Sequence, residues 1–159
     1  MVRSGARVSM AAWNSAGVRI GRPGATVAQD LEPEFVSISA DSKTAFVTLQ
    51  ENNAIAKIDI ATATVTNVFP LGEKDHGAVG NEFDASDSDG DTINIRNWAG
   101  VIGLYLPDAM ASYTAADGNT YLITANEGDS RVNVTDLLRL SSAGYVLDPT
   151  AFPNAAALK

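Results

Sequence analysis

Cysteine is absent from the 159 residues of this chain. Because disulfide bonds and thiolate chemistry both need cysteine, the sequence excludes a disulfide framework and a reactive thiolate. Long apolar runs are absent as well, since none approaches the ~18–20 residues that a membrane-spanning helix needs. The N-terminal residues carry scattered arginines without a continuous apolar stretch, so the chain shows no signal peptide.

Positive charge is also scarce. The chain has 11 lysine and arginine residues against 19 aspartate and glutamate residues, a formal net charge of -8. Phosphate binding depends on clustered lysine and arginine, so this balance argues against a nucleic-acid partner. Glycine-rich phosphate loops of the Walker and Rossmann types are absent too. A hydrophobic content of 45% is nevertheless enough for a packed core.

Four short β-type runs, separated by turn residues, lie between Phe35 and Gly72. The runs are rich in β-branched and aromatic residues, which suit a pleated, packed surface. Asp, Ser and Asn fill the gaps and favour tight turns. This pattern predicts one four-stranded antiparallel sheet of the kind that forms a β-propeller blade. The runs are Phe35–Ser39, Ala45–Leu49, Ala54–Asp59 and Thr64–Pro70.

The segments on either side of this blade differ from it in composition. Residues 1–34 form an N-terminal segment with a possible strand at 18–20. Residues 73–98 form a long polar insertion rich in Asp, Gly and Asn. Insertions of this length without secondary structure of their own tend to be functional or mobile.

Residues 101–131 again contain β-type runs, and this pattern predicts a second blade. Asp117-Gly118 marks a hairpin turn within it, because a type I′ turn needs positive φ at both central residues. Two segments echo each other, AFVTLQENN at 45–53 and TYLITANEGD at 120–129, which supports two successive blades. Residues 132–159 are predicted to be an irregular tail with the start of an incomplete helix.

The predicted fold is therefore mainly β, a partial β-propeller over residues 35–131 with about two antiparallel blades and a long polar insertion. A blade cannot bury both of its faces alone, and this chain is too short for a full ring. We therefore expect a fragment whose partners are the remaining blades of a larger propeller, or a chain that self-associates through uncovered apolar faces.

The insertion carries four closely spaced aspartates: Asp84, Asp87, Asp89 and Asp91. Alternate carboxylates in a glycine-containing loop can converge on Ca²⁺, which takes about 6–8 oxygen ligands. The spacing resembles half of an EF-hand loop but departs from it. With Asp87 as the first ligand, Thr92 stands where the turn glycine belongs. The two alternatives are a calcium site and a solvated acidic loop.

A second polar cluster follows the strand of the second blade: Asn126, Glu127, Asp129 and Arg131. Loops at strand ends carry function more often than strands do, so these are candidate binding residues. Glu127 and Asp129 are also weaker candidates for the metal site. The alternative is a tight turn at Gly128, locked by an ion pair to Arg131. In the first blade, residues 51–53 occupy the equivalent place, and there we predict a turn.

His76 is the only histidine and follows Asp75. A histidine beside an aspartate can act as a general base, with the carboxylate raising the pKa of the imidazole. No serine or cysteine motif lies near enough in sequence to suggest a triad. A loop histidine that packs or caps is the favoured alternative, so His76 with Asp75 is a weak catalytic candidate.

Several strings together resemble a known family. The chain is similar to the choice-of-anchor I domain, a YVTN-type β-propeller of large bacterial exported or surface-attached proteins. Relatives include the segment called mesenchyme-specific cell surface glycoprotein and a domain of some atypical alkaline phosphatases. The resemblance covers residues 17–131 and resumes at LDPTAFPNAAALK, leaving 132–144 unmatched. Its strings are TVAQDLEPEFVSIS, TAFVTLQENNAIAKIDIATATVTNVFPLGEKDH, DASDSDGDTINIRNW, PDAMASY and YLITANEGDSR.

The resemblance implies an extracellular, cell-surface or periplasmic parent protein. It favours a scaffold or ligand-binding propeller, with calcium as a candidate cofactor and an unidentified ligand. One alternative is part of a phosphatase- or phytase-like hydrolase that uses metal ions on phosphate esters. Another is an inactive truncated fragment. Fold alone does not decide among these, because propellers host many functions.

Overall fold

The computed structural model describes residues 9–86, 89–90, 92–128, 140 and 144–158. Of the described residues, 38% lie in strands and 10% in helices, and the small antiparallel sheets they form are not closed into a barrel. These fractions confirm the predicted mainly-β fold. The chain folds into two compact units, residues 1–72 with 104–131 and residues 73–103 with 132–159.

The first unit is built on a four-stranded antiparallel sheet with the strand order β1-β2-β3-β4. The predicted sheet is therefore confirmed, with β1 and β2 beginning slightly earlier than expected. Each connecting turn contains one non-glycine residue with positive φ, and these residues are Ser42, Asn53 and Ala63. The strands are β1 (Pro33–Ile38), β2 (Thr44–Leu49), β3 (Ala54–Asp59) and β4 (Thr64–Pro70).

One face of this sheet packs against the N-terminal segment. Helices α1 (Met10–Ser15) and α2 (Val27–Asp30) contribute partly buried side chains to that contact. Val18 and Ile20 are buried, but the possible strand at 18–20 does not form, because the Arg19 N–H bonds a turn, at Asn52 O, at 2.9 Å. The buried cluster on this face is Val18, Ile20, Val47, Leu49, Ala54, Ala56 and Val68.

The opposite face of the sheet packs against a hairpin of β9 (Pro107–Thr114) and β10 (Thr120–Asn126). A turn at Asp117-Gly118 connects these strands, as predicted, but it is not the expected type I′, because Gly118 has a φ of 79° while Asp117 is not among the residues with positive φ. Phe46, Ile55 and Met110 form a buried cluster between the sheet and the hairpin. Polar contacts fix the packing: the Thr48 hydroxyl donates to Asp108 O at 2.9 Å, and the Ser37 and Ser112 hydroxyls lie 2.8 Å apart.

The hairpin repeats the plan of β1 and β2, as the sequence echo suggested. Each first strand begins with a proline, Pro33 or Pro107, and the register shifts beside it. Equivalent residues then face each other across the two pairs of strands. They are Ser37 with Phe46 in the sheet and Ser112 with Leu122 in the hairpin.

The second unit contains short ladders of strands, so the polar insertion has secondary structure of its own. The ladders pair β5 (Glu73–Asp75) with β8 (Ile102–Leu104) and β6 (Phe83–Asp84) with β7 (Ile95–Arg96). Trp98 anchors the insertion, because its buried indole N–H donates to Phe83 O at 2.9 Å. The Arg96 guanidinium lies 3.8 Å from the centre of the Trp98 ring. Helix α3 (Ala155–Leu158) is a single turn.

Candidate functional site

The candidate site of the first unit lies where its strands end. We call it the strand-end edge, defined as the turn 50–53 between β2 and β3 together with Asn126 and Glu127 at the end of β10. Leu106 joins the two parts. Its N–H donates to Asn53 Oδ1 at 3.2 Å, and its carbonyl accepts the Glu127 N–H at 3.3 Å. The sequence echo therefore corresponds to two strand ends that lie side by side.

Asn52 attaches the N-terminal segment to this edge. Its side chain is completely buried, at 0% exposure. Nδ2 donates to the carbonyls of Arg19 at 2.8 Å and Asp30 at 3.1 Å, and Oδ1 accepts the Glu32 N–H at 3.0 Å. All of these hydrogen bonds go to backbone groups, so the role of Asn52 is to hold the N-terminal segment against the turn.

Asn53 attaches the hairpin to the same edge. Its φ of 52° is a conformation that asparagine tolerates better than most residues, and its side chain is buried. Nδ2 donates to Gly72 O at 2.7 Å, and Oδ1 accepts the N–H groups of Tyr105 at 3.0 Å and Leu106 at 3.2 Å. The predicted turn at residues 51–53 is thereby confirmed.

Glu51 differs from the two asparagines because its carboxyl group is only partly satisfied. The side chain is 6% exposed, and neither Glu51 Oε2 nor the adjacent Gln50 Nε2 has a hydrogen-bond partner among the described residues. Burial raises the pKa of Glu51, and the negative charges of Glu32 and Glu34 raise that pKa further. The edge is therefore acidic, and the raised pKa means that its inner carboxyl group keeps its proton to a higher pH than usual.

The predicted binding cluster in the second hairpin is only partly within the described residues. Asn126 and Glu127 have exposed side chains, and Asn126 Oδ1 accepts the Thr124 hydroxyl at 2.9 Å. Asp129 and Arg131 lie outside the described residues, so their ion pair stays a prediction. Glu127 can therefore meet a ligand from solvent, whereas the equivalent Glu51 cannot.

His76 and Asp75 lie in the second unit, and both are held by backbone groups of the insertion. Asp75 Oδ1 accepts the Gly77 N–H at 2.8 Å. His76 Nδ1 lies 2.8 Å from Asn81 O, so this nitrogen carries the proton, because a carbonyl oxygen can only accept. The imidazole also packs against Phe83, with ring centroids 4.1 Å apart. This geometry supports a packing role, and a catalytic role stays a prediction.

The acidic loop, the predicted calcium site, is also only partly described. The Asp84 carboxylate accepts the N–H groups of Ser86 at 3.4 Å and Asn94 at 3.1 Å. Asp89 is exposed, while Asp87 and Asp91 lie outside the described residues. Within the described residues, no group of three Asp, Glu, His or Cys side chains is arranged to hold a metal ion. Calcium binding therefore stays a prediction.

Asp30 was missed by the sequence analysis. Its side chain is 0% exposed, and its carboxylate accepts the N–H groups of Gly21 at 3.1 Å and Arg22 at 2.7 Å. These bonds fold the N-terminal segment back on itself, and Asn52 bonds the Asp30 carbonyl. A single aspartate in a segment without clear periodicity carries no distinctive signal, so only the structure reveals it.

Comparison with known proteins identifies the family. The sequence model of the Choice-of-anchor I domain matches residues 4–159, and the chain belongs to this family. The match includes residues 132–144, which the resemblance had left out. No curated protein and no solved structure matches significantly. Family membership indicates a surface-associated domain of an exported or cell-surface protein. In the described part of the chain, no helix has the length and apolar character to cross a membrane.

Proposed function

We propose that this chain is part of a surface or exported β-propeller scaffold whose strand-end edge binds a ligand or partner. The observation that supports this proposal is a structural repeat within the first unit. The hairpin β9–β10 repeats β1–β2 in sequence, register and proline position, and it packs on the face of the first sheet. Successive blades of a propeller are related in this way.

The outer face of the hairpin supports further blades. Tyr113 and Tyr121 stack there with ring centroids 5.5 Å apart, and they are 49% and 43% exposed. Ile123 beside them is 62% exposed. A monomer rarely leaves such an apolar patch uncovered. Another blade packed on this face would bury it, as the hairpin buries Phe46 of the first sheet.

The chemistry of the strand-end edge suggests the class of ligand. Glu32, Glu34 and Glu51 lie close enough for their charges to interact, and Glu127 is exposed at the adjacent end of β10. These carboxyl groups outnumber the one cation that the structure shows bonded at this edge, the Arg19 guanidinium, which donates to Glu51 O at 3.3 Å. We therefore infer a ligand that carries positive charge or several hydrogen-bond donors, such as a basic peptide segment.

A metal-dependent hydrolase remains the second candidate, by resemblance alone. Such an enzyme needs several carboxylates that converge on one or more metal ions. The described residues bring no such set together. No observation in the described part of the chain therefore favours hydrolysis over binding.

The proposal is tested by location and by binding. In its native cells, the full gene product should be digested by protease added outside intact cells, whereas protection until lysis would contradict a surface role. The purified chain should bind basic peptides on an array, and the Glu127→Gln variant should lose this binding. The matched control is Asn119→Ala, an exposed turn residue at the opposite end of the hairpin. Equal loss in both variants would contradict the assignment of the edge.

A further inference from the structure

Both faces of the hairpin β9–β10 are apolar. Met110 and Leu122 pack toward the first sheet, whereas Tyr113, Tyr121 and Ile123 lie on the other side, which we call the outer face. An antiparallel pair with one solvated face usually places polar residues there. The Tyr121 hydroxyl already donates to a carboxylate oxygen of the hairpin turn at 2.8 Å. The outer face therefore has the character of a surface that packs against protein.

The first sheet carries a second apolar patch, on the face opposite the hairpin. Val36 pairs with Val47 of the buried cluster, so its side chain lies on the face that meets the N-terminal segment. Ile38 is two residues further along β1 and shares this face, and so does Val65, because it pairs with Ile58. Val36 is 54% exposed, Ile38 55% and Val65 38%. We call these three residues the back patch, and the N-terminal segment covers this end of the face only in part.

The two patches lie at opposite ends of one stack, which consists of the first sheet and the hairpin. Inside this stack, Phe46 and Ile55 of the sheet already pack against Met110 of the hairpin. The back patch is thus a sheet face without a hairpin on it, and the outer face is a hairpin face without a sheet on it. A second copy of the chain supplies each patch with the kind of surface that it lacks.

We propose that copies of this chain associate head to tail, with the outer face of one copy packed on the back patch of the next. The contact continues the packing of sheet on hairpin that exists within each copy. It is heterologous, because it joins two different patches, and such contacts close into a ring where the rotation allows. Propellers contain about 4–8 blades, so copies that each supply a sheet and a hairpin close a ring of about two to four copies. The inference rests on the proposed blade arrangement and does not involve the strand-end edge.

Analytical ultracentrifugation of the full chain over a concentration series measures this association. The wild type should form a discrete species of about two to four copies. Ile123→Lys places a charge on the outer face and Val36→Lys places one on the back patch, and each should weaken association at least about tenfold. Val79→Lys is the matched control and should associate like the wild type, because Val79 is 93% exposed and belongs to neither patch. A wild type that stays monomeric up to about 100 μM would overturn the proposal.

An equal mixture of the two lysine variants tests which patches meet. The Ile123→Lys copy keeps its back patch and the Val36→Lys copy keeps its outer face, so one intact contact can form between them. The mixture should therefore contain a dimer with one copy of each variant, at concentrations where each variant alone is monomeric. A mixture that stays monomeric would overturn the proposal. So would a Val36→Lys variant that associates like the wild type, because the outer face would then pair with itself.

Two further measurements keep this test independent of folding and of the proposed ligand. Circular dichroism shows whether each variant retains the β-sheet signal of the wild type, and Tyr121→Ser or Ile38→Ser replaces a lysine variant that does not. Glu127→Gln should lose the binding of basic peptides and still associate like the wild type, because Glu127 belongs to neither patch. Loss of association in Glu127→Gln would overturn the assignment of the patches. A monomeric wild type that still binds basic peptides would refute head-to-tail association alone.

Discussion

Replacing Asn53 by alanine should loosen the junction between the first sheet and the hairpin β9–β10. The side chain is 2% exposed and bonds three backbone groups, Gly72 O and the N–H groups of Tyr105 and Leu106. These partners come from the end of β4 and from the residues that lead into β9. No other described side chain bonds both segments, so the consequence of its loss should be measurable.

The magnitude follows from two contributions. Three lost hydrogen bonds at about 1 kcal/mol each lower the free energy of unfolding by about 3 kcal/mol. The φ of 52° adds a backbone contribution in the alanine variant, because asparagine tolerates the left-handed conformation and glycine adopts it freely, whereas it costs alanine about 1–2 kcal/mol. We therefore expect a loss of about 3 kcal/mol in Asn53→Gly and about 4–5 kcal/mol in Asn53→Ala.

Urea unfolding followed by Trp13 fluorescence measures this difference. Trp13 packs against the buried cluster of the first unit, and the other tryptophan is removed by working in a Trp98→Phe background. Asn119→Ala serves as the control, since Asn119 is exposed and should change stability by less than about 0.5 kcal/mol. Equal losses in the alanine and glycine variants would refute the backbone contribution. Losses below about 1 kcal/mol in both would refute the hydrogen-bond contribution.

Two further predictions concern charge. The folded-state pKa of Glu51 is raised above 4.5, so the wild type is most stable below that pH and loses stability as the pH rises through the raised pKa. Thermal melts should therefore show Glu51→Gln more stable than the wild type at about pH 7 and similar at about pH 4, and a constant difference would contradict this. Ca²⁺ should raise the melting temperature with a Kd of about 10⁻⁴–10⁻³ M if the acidic loop binds it. The melting temperature of the Asp87→Asn, Asp89→Asn double variant should not change with Ca²⁺. Equal changes in the variant and the wild type would contradict a calcium site in this loop.

Local patterns predicted the parts of the fold that depend on neighbouring residues. The four strands of the first sheet and the position of the turn at Asp117-Gly118 follow from β-propensity and turn residues, which act over a few residues, whereas the predicted type I′ geometry was wrong. The echo between 45–53 and 120–129 was also visible, because both segments carry an aromatic residue, aliphatic residues and a threonine, followed by a polar stretch. These predictions needed no knowledge of which strands would meet in space.

The contacts that organise the strand-end edge were not predictable in the same way. Asn53 bonds Leu106, and Asn52 bonds Arg19, across long stretches of chain that no local pattern connects. The possible strand predicted at 18–20 was wrong, because alternation reports which side chains face a core and not what the backbone pairs with, and here Arg19 bonds the turn at Asn52. The partial burial of Glu51 likewise depends on the N-terminal segment that packs beside it.

The structural roles of Asn52 and Asn53 also limit which residues of the strand-end edge can bind a ligand. The side chains of Asn52 and Asn53 are buried and hydrogen-bond backbone groups through both their donors and their acceptors. A ligand could engage them only by breaking bonds that hold the N-terminal segment and the hairpin in place. In contrast, Glu127 occupies the position equivalent to Glu51 and is exposed. The turn of the first sheet is therefore occupied by structural contacts, whereas the Glu127 side chain stays in solvent and remains available for a ligand.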